Sequence, residues 1–317
     1  MPAKLQSCVV LGGGGFMGTN LCRRLLALGH RVRAYGRNCH FPDALRGVEW
    51  VQGDFADPNS LAGAIESFDV VFHLVHAATP QAANLSIPLD VQQNVIPSIT
   101  LLELCRKLGV KRVVFSSSGG TLYGCPQQIP TPESAPTDPI CAYGISKLAI
   151  EKYLALYEHL HALDFRVLRI ANAFGPFQIA WKGQGFIAAT VSRALSGQPI
   201  EIWGDGWVVR DFVYIDDVVD AFEAAIGNSG SDRIFNIGTG EGRSLREVIA
   251  AIEGLLDVKL NITWAPSRSL DTPRSVVAID RAKSALAWTP KTPFDAGLAA
   301  TIEWTRRNRP AIDKLLR

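Results

Sequence analysis

Cys8-Val9-Val10-Leu11 followed by Gly12-Gly13-Gly14-Gly15-Phe16-Met17-Gly18 is the stretch whose reading decides the fold of this chain. A short apolar strand runs into a glycine-rich turn, and from Thr19 to Leu28 the apolar residues Leu21, Leu25 and Leu28 recur at helical spacing until Gly29 stops them. Glycines at 12, 15 and 18 leave no Cβ between the backbone and an approaching anion, so the helix N-terminus can offer bare N–H groups to a diphosphate. The spacing is GxxGxxG instead of GxGxxG, and such a turn alone is also compatible with a ligand-free strand-to-helix corner. Its placement between a strand and an amphipathic helix favours a dinucleotide.

The same alternation continues outward. Arg31–Tyr35, Val48–Gln52, Val70–Leu74, Arg112–Ser116 and Arg166–Ile170 read as further strands separated by helical patterns, among them Val91–Leu108 and Ala142–His161. Strands alternating with helices predict an α/β, Rossmann-type doubly wound parallel sheet whose strand ends face one crevice. After Pro176 the chain becomes rich in glycine and tryptophan. It then returns to pattern with a strand at Arg233–Gly238, a helix at Ser244–Leu256 behind a Ser244/Glu247 capping pair, and a terminal helix at Phe294–Arg307. We expect residues 1–176 to form the dinucleotide domain, with about 212–240 returning to it, and 177–317 to form mainly a smaller substrate-binding domain.

Bulk properties narrow the function. A chain of 317 residues with 47% hydrophobic content can bury a large core, and a net charge of +2 gives no broad attraction to nucleic acid or an anionic membrane. The six cysteines show no CxxC pair or zinc spacing, so no metal is expected and the thiols read as reduced. No apolar run reaches membrane-spanning length and no signal-peptide pattern opens the chain, which points to a cytoplasmic protein.

Two further stretches carry chemistry. Tyr143 and Lys147, four apart, share one helix face, where an ammonium can bring a phenol pKa down from about 10 toward neutrality. Ser116-Ser117-Ser118-Gly119-Gly120-Thr121 places small hydroxyls at the C-terminal end of a strand, where the sheet presents its ligands. Each is common alone. Together with the glycine turn, Gly53-Asp54, Asn94, Arg169 to Pro176, Arg210 to Asp217 and Arg268 to Pro273, they make the chain similar over nearly its whole length to the extended short-chain dehydrogenase/reductases. It most resembles their NAD-dependent sugar-nucleotide epimerase/dehydratase branch.

The resemblance implies a set of roles. Tyr143 is the catalytic base, Lys147 holds the nicotinamide ribose, and Ser118 or Thr121 hydrogen-bonds the reacting sugar hydroxyl, with Ser118 preferred. Gly12, Gly15, Phe16, Met17, Gly18, Arg37, Asp54, Phe55, Leu74, Val75, His76, Asn94, Ser116 and Ala173 lie along the dinucleotide. Asn172, Arg210, Arg268, Asp271 and Ser275 take the nucleotide sugar, expected to be UDP-linked, and the family implies a homodimer. His76 replaces a small residue of the family and reads foremost as packing, and Ser275, two beyond Pro273, leaves room for a bulky 2-substituent. Gly119-Gly120 stand where family dehydratases carry an Asp-Glu pair, so 4-epimerisation through a 4-keto sugar is favoured over dehydration. Tyr35-Gly36-Arg37-Asn38 lacks the carboxylate that NAD-selective members place at the second strand's end. That leaves NADP open beside NAD, and an NADPH-dependent keto-sugar reductase as the alternative activity.

Overall fold

The computed structural model describes residues 5–77, 79–180, 185–267 and 272–316. Six strands follow the predicted order: β1 (Ser7–Leu11), β2 (Arg31–Gly36), β3 (Glu49–Gln52), β4 (Val70–His73), β5 (Arg112–Ser118) and β6 (Asp164–Ile170). With Ile234–Ile237 they form a seven-stranded sheet ordered Ile234–Ile237, β6, β5, β4, β1, β2, β3, with every pairing parallel. The order reverses at β1, which lies between β2 and β4, and this opens the crevice where such sheets bind ligands.

Continuous apolar runs make these strands because the sheet is covered on both faces. Cys8 and Val10 join one core layer with Leu21, Leu25, Phe72 and Phe222; Val9 and Leu11 join the other with Leu61, Val71, Leu101 and Phe115. Neighbours along a strand thus point to opposite layers, as the pleat requires. Short sheets build the rest. Phe212–Tyr214 pairs with Asn172–Phe174, Ile262–Ala265 pairs with Ile200–Trp203, and Val209–Arg210 lies between Arg243–Ser244 and Arg274–Ser275.

Several boundaries differ from expectation. Helix α1 (Phe16–Ala27) starts at Phe16, three residues before the predicted start, because Gly15 already serves as its N-cap. Strand β5 runs on to Ser118, since Ser117 and Ser118 stay in register with Arg169 and Ile170 of β6. Instead of one regular helix from Val91, a short helix Ile87–Asp90 passes through a wide π turn at Val91–Val95 into Ile96–Lys107. The terminal helix continues through Pro310 to Leu316, held by buried Ile312 and by Arg309, which donates to the Leu195 carbonyl and the Ser196 hydroxyl. Among the described residues no helix is long and apolar enough to cross a membrane.

Candidate active site

The glycine turn is tied to the sheet at the point where strand order reverses. Gly12 has φ +85°, and the N–H groups of Gly12 and Gly13 both donate to the Tyr35 carbonyl, at 2.8 and 3.2 Å. At Gly18 a Cβ would stand 2.1 Å from the Gly12 carbonyl oxygen, so only glycine lets α1 come this close to the turn. Gly13 and Gly14 are equally constrained, against Ala34 Cβ at 2.6 Å and the Asn38 carbonyl oxygen at 2.1 Å, a packing role the three-glycine reading does not contain. A Cβ on Gly15 would meet only the Gly12 oxygen, at 3.3 Å. The first-turn N–H groups of Phe16, Met17 and Gly18 have no intrahelical acceptor, and no acidic residue occupies that turn. Bare donors, a positive helix end and a cradle without side chains fit a dinucleotide diphosphate.

The cleft walls come from the next strand ends. At the end of β3, Asp54 accepts at its carbonyl from the Tyr35 hydroxyl at 2.7 Å, and buried Phe55 packs on His73. Leu74 donates to the Leu11 carbonyl and stands with Val75 over Gly12. Asn94 is turned inward with its amide fully used: Oδ1 accepts from the Ala77 N–H at 2.7 Å, and Nδ2 donates to the Asp90 carbonyl and carboxylate at 2.9 Å. It pins the loop that lines the cleft. Asp90, a buried carboxylate not singled out from the sequence, also accepts from Ser146 on the helix Ala142–His161, at 2.5 Å.

That helix presents Tyr143, Lys147 and Glu151 at successive four-residue steps. Glu151 is buried and bonded to Ser117 at 2.5 Å and to Arg169 at 2.7 Å, while Arg169 also donates to the Tyr123 hydroxyl at 2.9 Å. The helix is thereby locked to β5 and β6 beneath the site. Lys147 is buried, donates to the Ser116 carbonyl at 2.7 Å, and lies 5.8 Å from the Tyr143 ring centre. Burial brings its ammonium down to about 7, against the opposing pull of Glu151 and Asp90.

The phenol corrects an expectation. Burial first, then Cys141 and Asp90, push Tyr143 above its ordinary value, opposite to the lowering expected beside an ammonium. His76 lies edge-on to Tyr143 with ring centres 4.3 Å apart. Its Nε2 is 3.4 Å from Asp90 Oδ1, both ring nitrogens are buried without a hydrogen bond, and burial, Lys147 and His73 hold the ring neutral, down to about 2.

Both hydroxyl candidates meet: Thr121 Oγ1 donates to Ser118 Oγ at 2.9 Å, which leaves the Ser118 hydrogen free to donate elsewhere. Beyond the end of β6, Ala173 and Asn172 sit in the short strand beside Phe212–Tyr214, and Asn172 Nδ2 donates to the Asp211 carbonyl at 3.2 Å. Arg210 donates to the Val209 and Thr272 carbonyls and is the strand neighbour of Ser275, which is buried. Arg268 and Asp271 lie outside the described residues.

A glycine turn at the sheet's reversal point, with a Tyr-Lys helix beside a hydroxyl-bearing strand end, defines an extended short-chain dehydrogenase/reductase. Residues 8–238 match the model of the NAD dependent epimerase/dehydratase family, and the chain belongs to that family, an NAD-dependent enzyme of the epimerase type. It is 37% identical over 307 residues to a UDP-glucose 4-epimerase of Mycolicibacterium smegmatis, covering 94% of this chain and 98% of that one. Two solved structures are similar at 32% identity. The UDP-glucose 4-epimerase of Thermotoga maritima with UDP-glucose has a TM-score of 0.92 over 96% of this chain and 99% of that one. That of Thermus thermophilus in complex with NAD has a TM-score of 0.89 over 95% and 99%.

Proposed function

We propose that the chain is a nucleotide-sugar 4-epimerase acting on a UDP-hexose or UDP-N-acetylhexosamine through a transient 4-keto sugar. The observation that carries this reading is that Lys147, one turn from Tyr143, reaches the Ser116 carbonyl on the strand end bearing the Ser118–Thr121 hydroxyl pair, with Gly119 and Gly120 supplying no acid or base for dehydration. The similarity to UDP-glucose 4-epimerases supports the UDP sugar.

Tyr143 receives the proton of the sugar 4-hydroxyl and returns it to the 4-oxygen of the epimer. NAD, when bound, supplies the acceptor and then the donor of the hydride at C4. Ser118, its own oxygen already accepting from Thr121, donates to the sugar oxygen and holds it facing the phenol. Buried Lys147 places a positive charge beside the phenol and the ribose. Asn172, Arg210 and Arg268 hold the nucleotide diphosphate, and Ser275 leaves room at the sugar 2-position.

The test is incubation of the purified chain with UDP-glucose, UDP-galactose and their N-acetyl forms without added cofactor. Isomerisation that Tyr143→Phe abolishes is the expected result; no turnover on any of them rejects the reading, and net NADPH oxidation with a 4-keto sugar identifies a reductase instead.

The reading includes a homodimer. It is supported by apolar side chains left exposed on two adjacent helical runs: Leu85, Ile87, Val91 and Ile96 on one, Ile145, Leu156 and Leu160 on the other. Exposed apolar faces of this extent favour a second copy.

A further inference from the structure

Asp211 follows Arg210 in the chain and is completely buried, yet among the described residues no cation pairs with its carboxylate. Neutral donors meet it instead. Oδ1 accepts from the Thr239 N–H at 2.8 Å and the Thr239 hydroxyl at 2.7 Å, and Oδ2 accepts from the Gly240 N–H at 3.2 Å and the Val277 N–H at 3.5 Å. Gly238 makes this approach possible, since a Cβ there would stand 2.4 Å from Oδ2. Burial raises the carboxyl above its ordinary value, and these donors pull the other way.

The backbone of the same residue holds the segments assigned above to the nucleotide. The Asp211 carbonyl accepts from the Asn172 N–H at 2.9 Å and from Asn172 Nδ2 at 3.2 Å, and the Asp211 N–H donates to the Ser275 carbonyl at 3.0 Å. Val277, two residues beyond Ser275, also reaches the turn after Ser118, where a Cβ on Gly119 would stand 3.0 Å from Val277 Cγ1. One side chain thus ties together pieces of chain that lie 28, 39 and 66 residues from it. Stability alone does not call for a charge here, because burying one without a counter-ion is unfavourable. Alignment does: hydrogen bonds to an ionised acceptor are roughly twice as strong as neutral ones and hold their donors more firmly.

We infer that Asp211 is the positioning residue of the nucleotide-sugar wall: its carboxylate, held by Thr239, Gly240 and Val277, fixes the backbone from which Asn172, Arg210 and Ser275 meet the nucleotide. The inference rests on the substrate assignment proposed above, and adds to it a buried residue that acts only through its neighbours.

The test is titration of the NAD⁺-saturated full chain with UDP, and of the chain cleared of nucleotide with NAD⁺, beside kcat and KM for the UDP-hexose it isomerises. Each is repeated for Asp211→Asn, Thr239→Val and Thr239→Ser. Asp211→Asn keeps the side-chain volume but turns an amide N–H₂ toward groups that are themselves donors. One lost hydrogen bond to a charged group corresponds to roughly tenfold in affinity. UDP affinity in Asp211→Asn is therefore expected to fall about tenfold and KM to rise to match, with kcat and NAD⁺ affinity within about twofold of the parent chain. Thr239→Val, which removes only the hydroxyl donor, shifts UDP affinity the same way, and Thr239→Ser restores it. Unchanged UDP affinity in Asp211→Asn overturns the inference. Equal weakening of UDP and NAD⁺ overturns it too, being the mark of a residue that only stabilises the fold. Should Asp211→Asn fail to fold, Thr239→Val against Thr239→Ser decides by the same readouts. A parent chain that binds NAD⁺ but no UDP overturns the substrate assignment itself.

Discussion

Lys147 shows what the site costs at the scale of one residue. Its folded pKa of about 7 lies below the ordinary 10.5, so between those values the unfolded chain binds more protons than the folded one. Stability then rises with pH across that window, by up to about 1.4 kcal/mol per unit, and the contribution is lost as pH falls toward 7. Replacing Lys147 by Met is expected to remove this slope, raise the urea midpoint at pH 7 and abolish turnover. Urea melts at pH 7 and pH 9, with an epimerisation assay beside them, check all three. A residue kept at such expense is one that chemistry retains.

At the scale of elements, the helix Ala142–His161 matches its sequence reading at both ends, because its apolar pattern and the Tyr143/Lys147 spacing agree with how it packs. What the pattern could not show is how that helix is fastened. Glu151 lies one turn beyond Lys147 and reads as an ordinary surface carboxylate, yet it is buried against Arg169 and Ser117. Removing one member of such a pair leaves the other charge buried and uncompensated, at about 3–5 kcal/mol. Glu151→Ala is thus expected to lower the unfolding free energy by that order, measured by denaturant titration, with Glu151→Gln between it and the parent. The Ser118–Thr121 bond was equally hidden, since two serviceable hydroxyls three apart give no sign of which one donates. The helix through Pro310 is held by Arg309 on Leu195 and Ser196, partners distant in sequence on which local propensity is silent.

For the whole molecule, the parallel doubly wound sheet and its crevice followed from the alternation of apolar strands and helices together with one glycine turn. Those signals are local and periodic, and they survive without knowledge of contacts. The proposed nucleotide-sugar wall was less readable, because Asn172, Arg210 and Ser275 sit on strands of two or three residues whose pairing joins segments far apart in the chain. Exposed Ile145 and Leu160 carry the remaining prediction. Light scattering is expected to give twice the chain mass, and Leu160→Asp to shift it toward one; a monomeric parent chain at micromolar concentration would refute the pairing.

Asn94 and Asp90 have a mechanical consequence. One carboxylate and one amide clamp the loop after β4 to the helix of Tyr143, through Ala77 on one side and Ser146 on the other. Loop and helix are thereby joined by one hydrogen-bonded cluster. In the epimerisation proposed above, the wall proposed to carry Asn172, Arg210 and Ser275 lies outside that cluster, which would separate the freedom a turning keto sugar needs from the alignment its oxidation cannot lose.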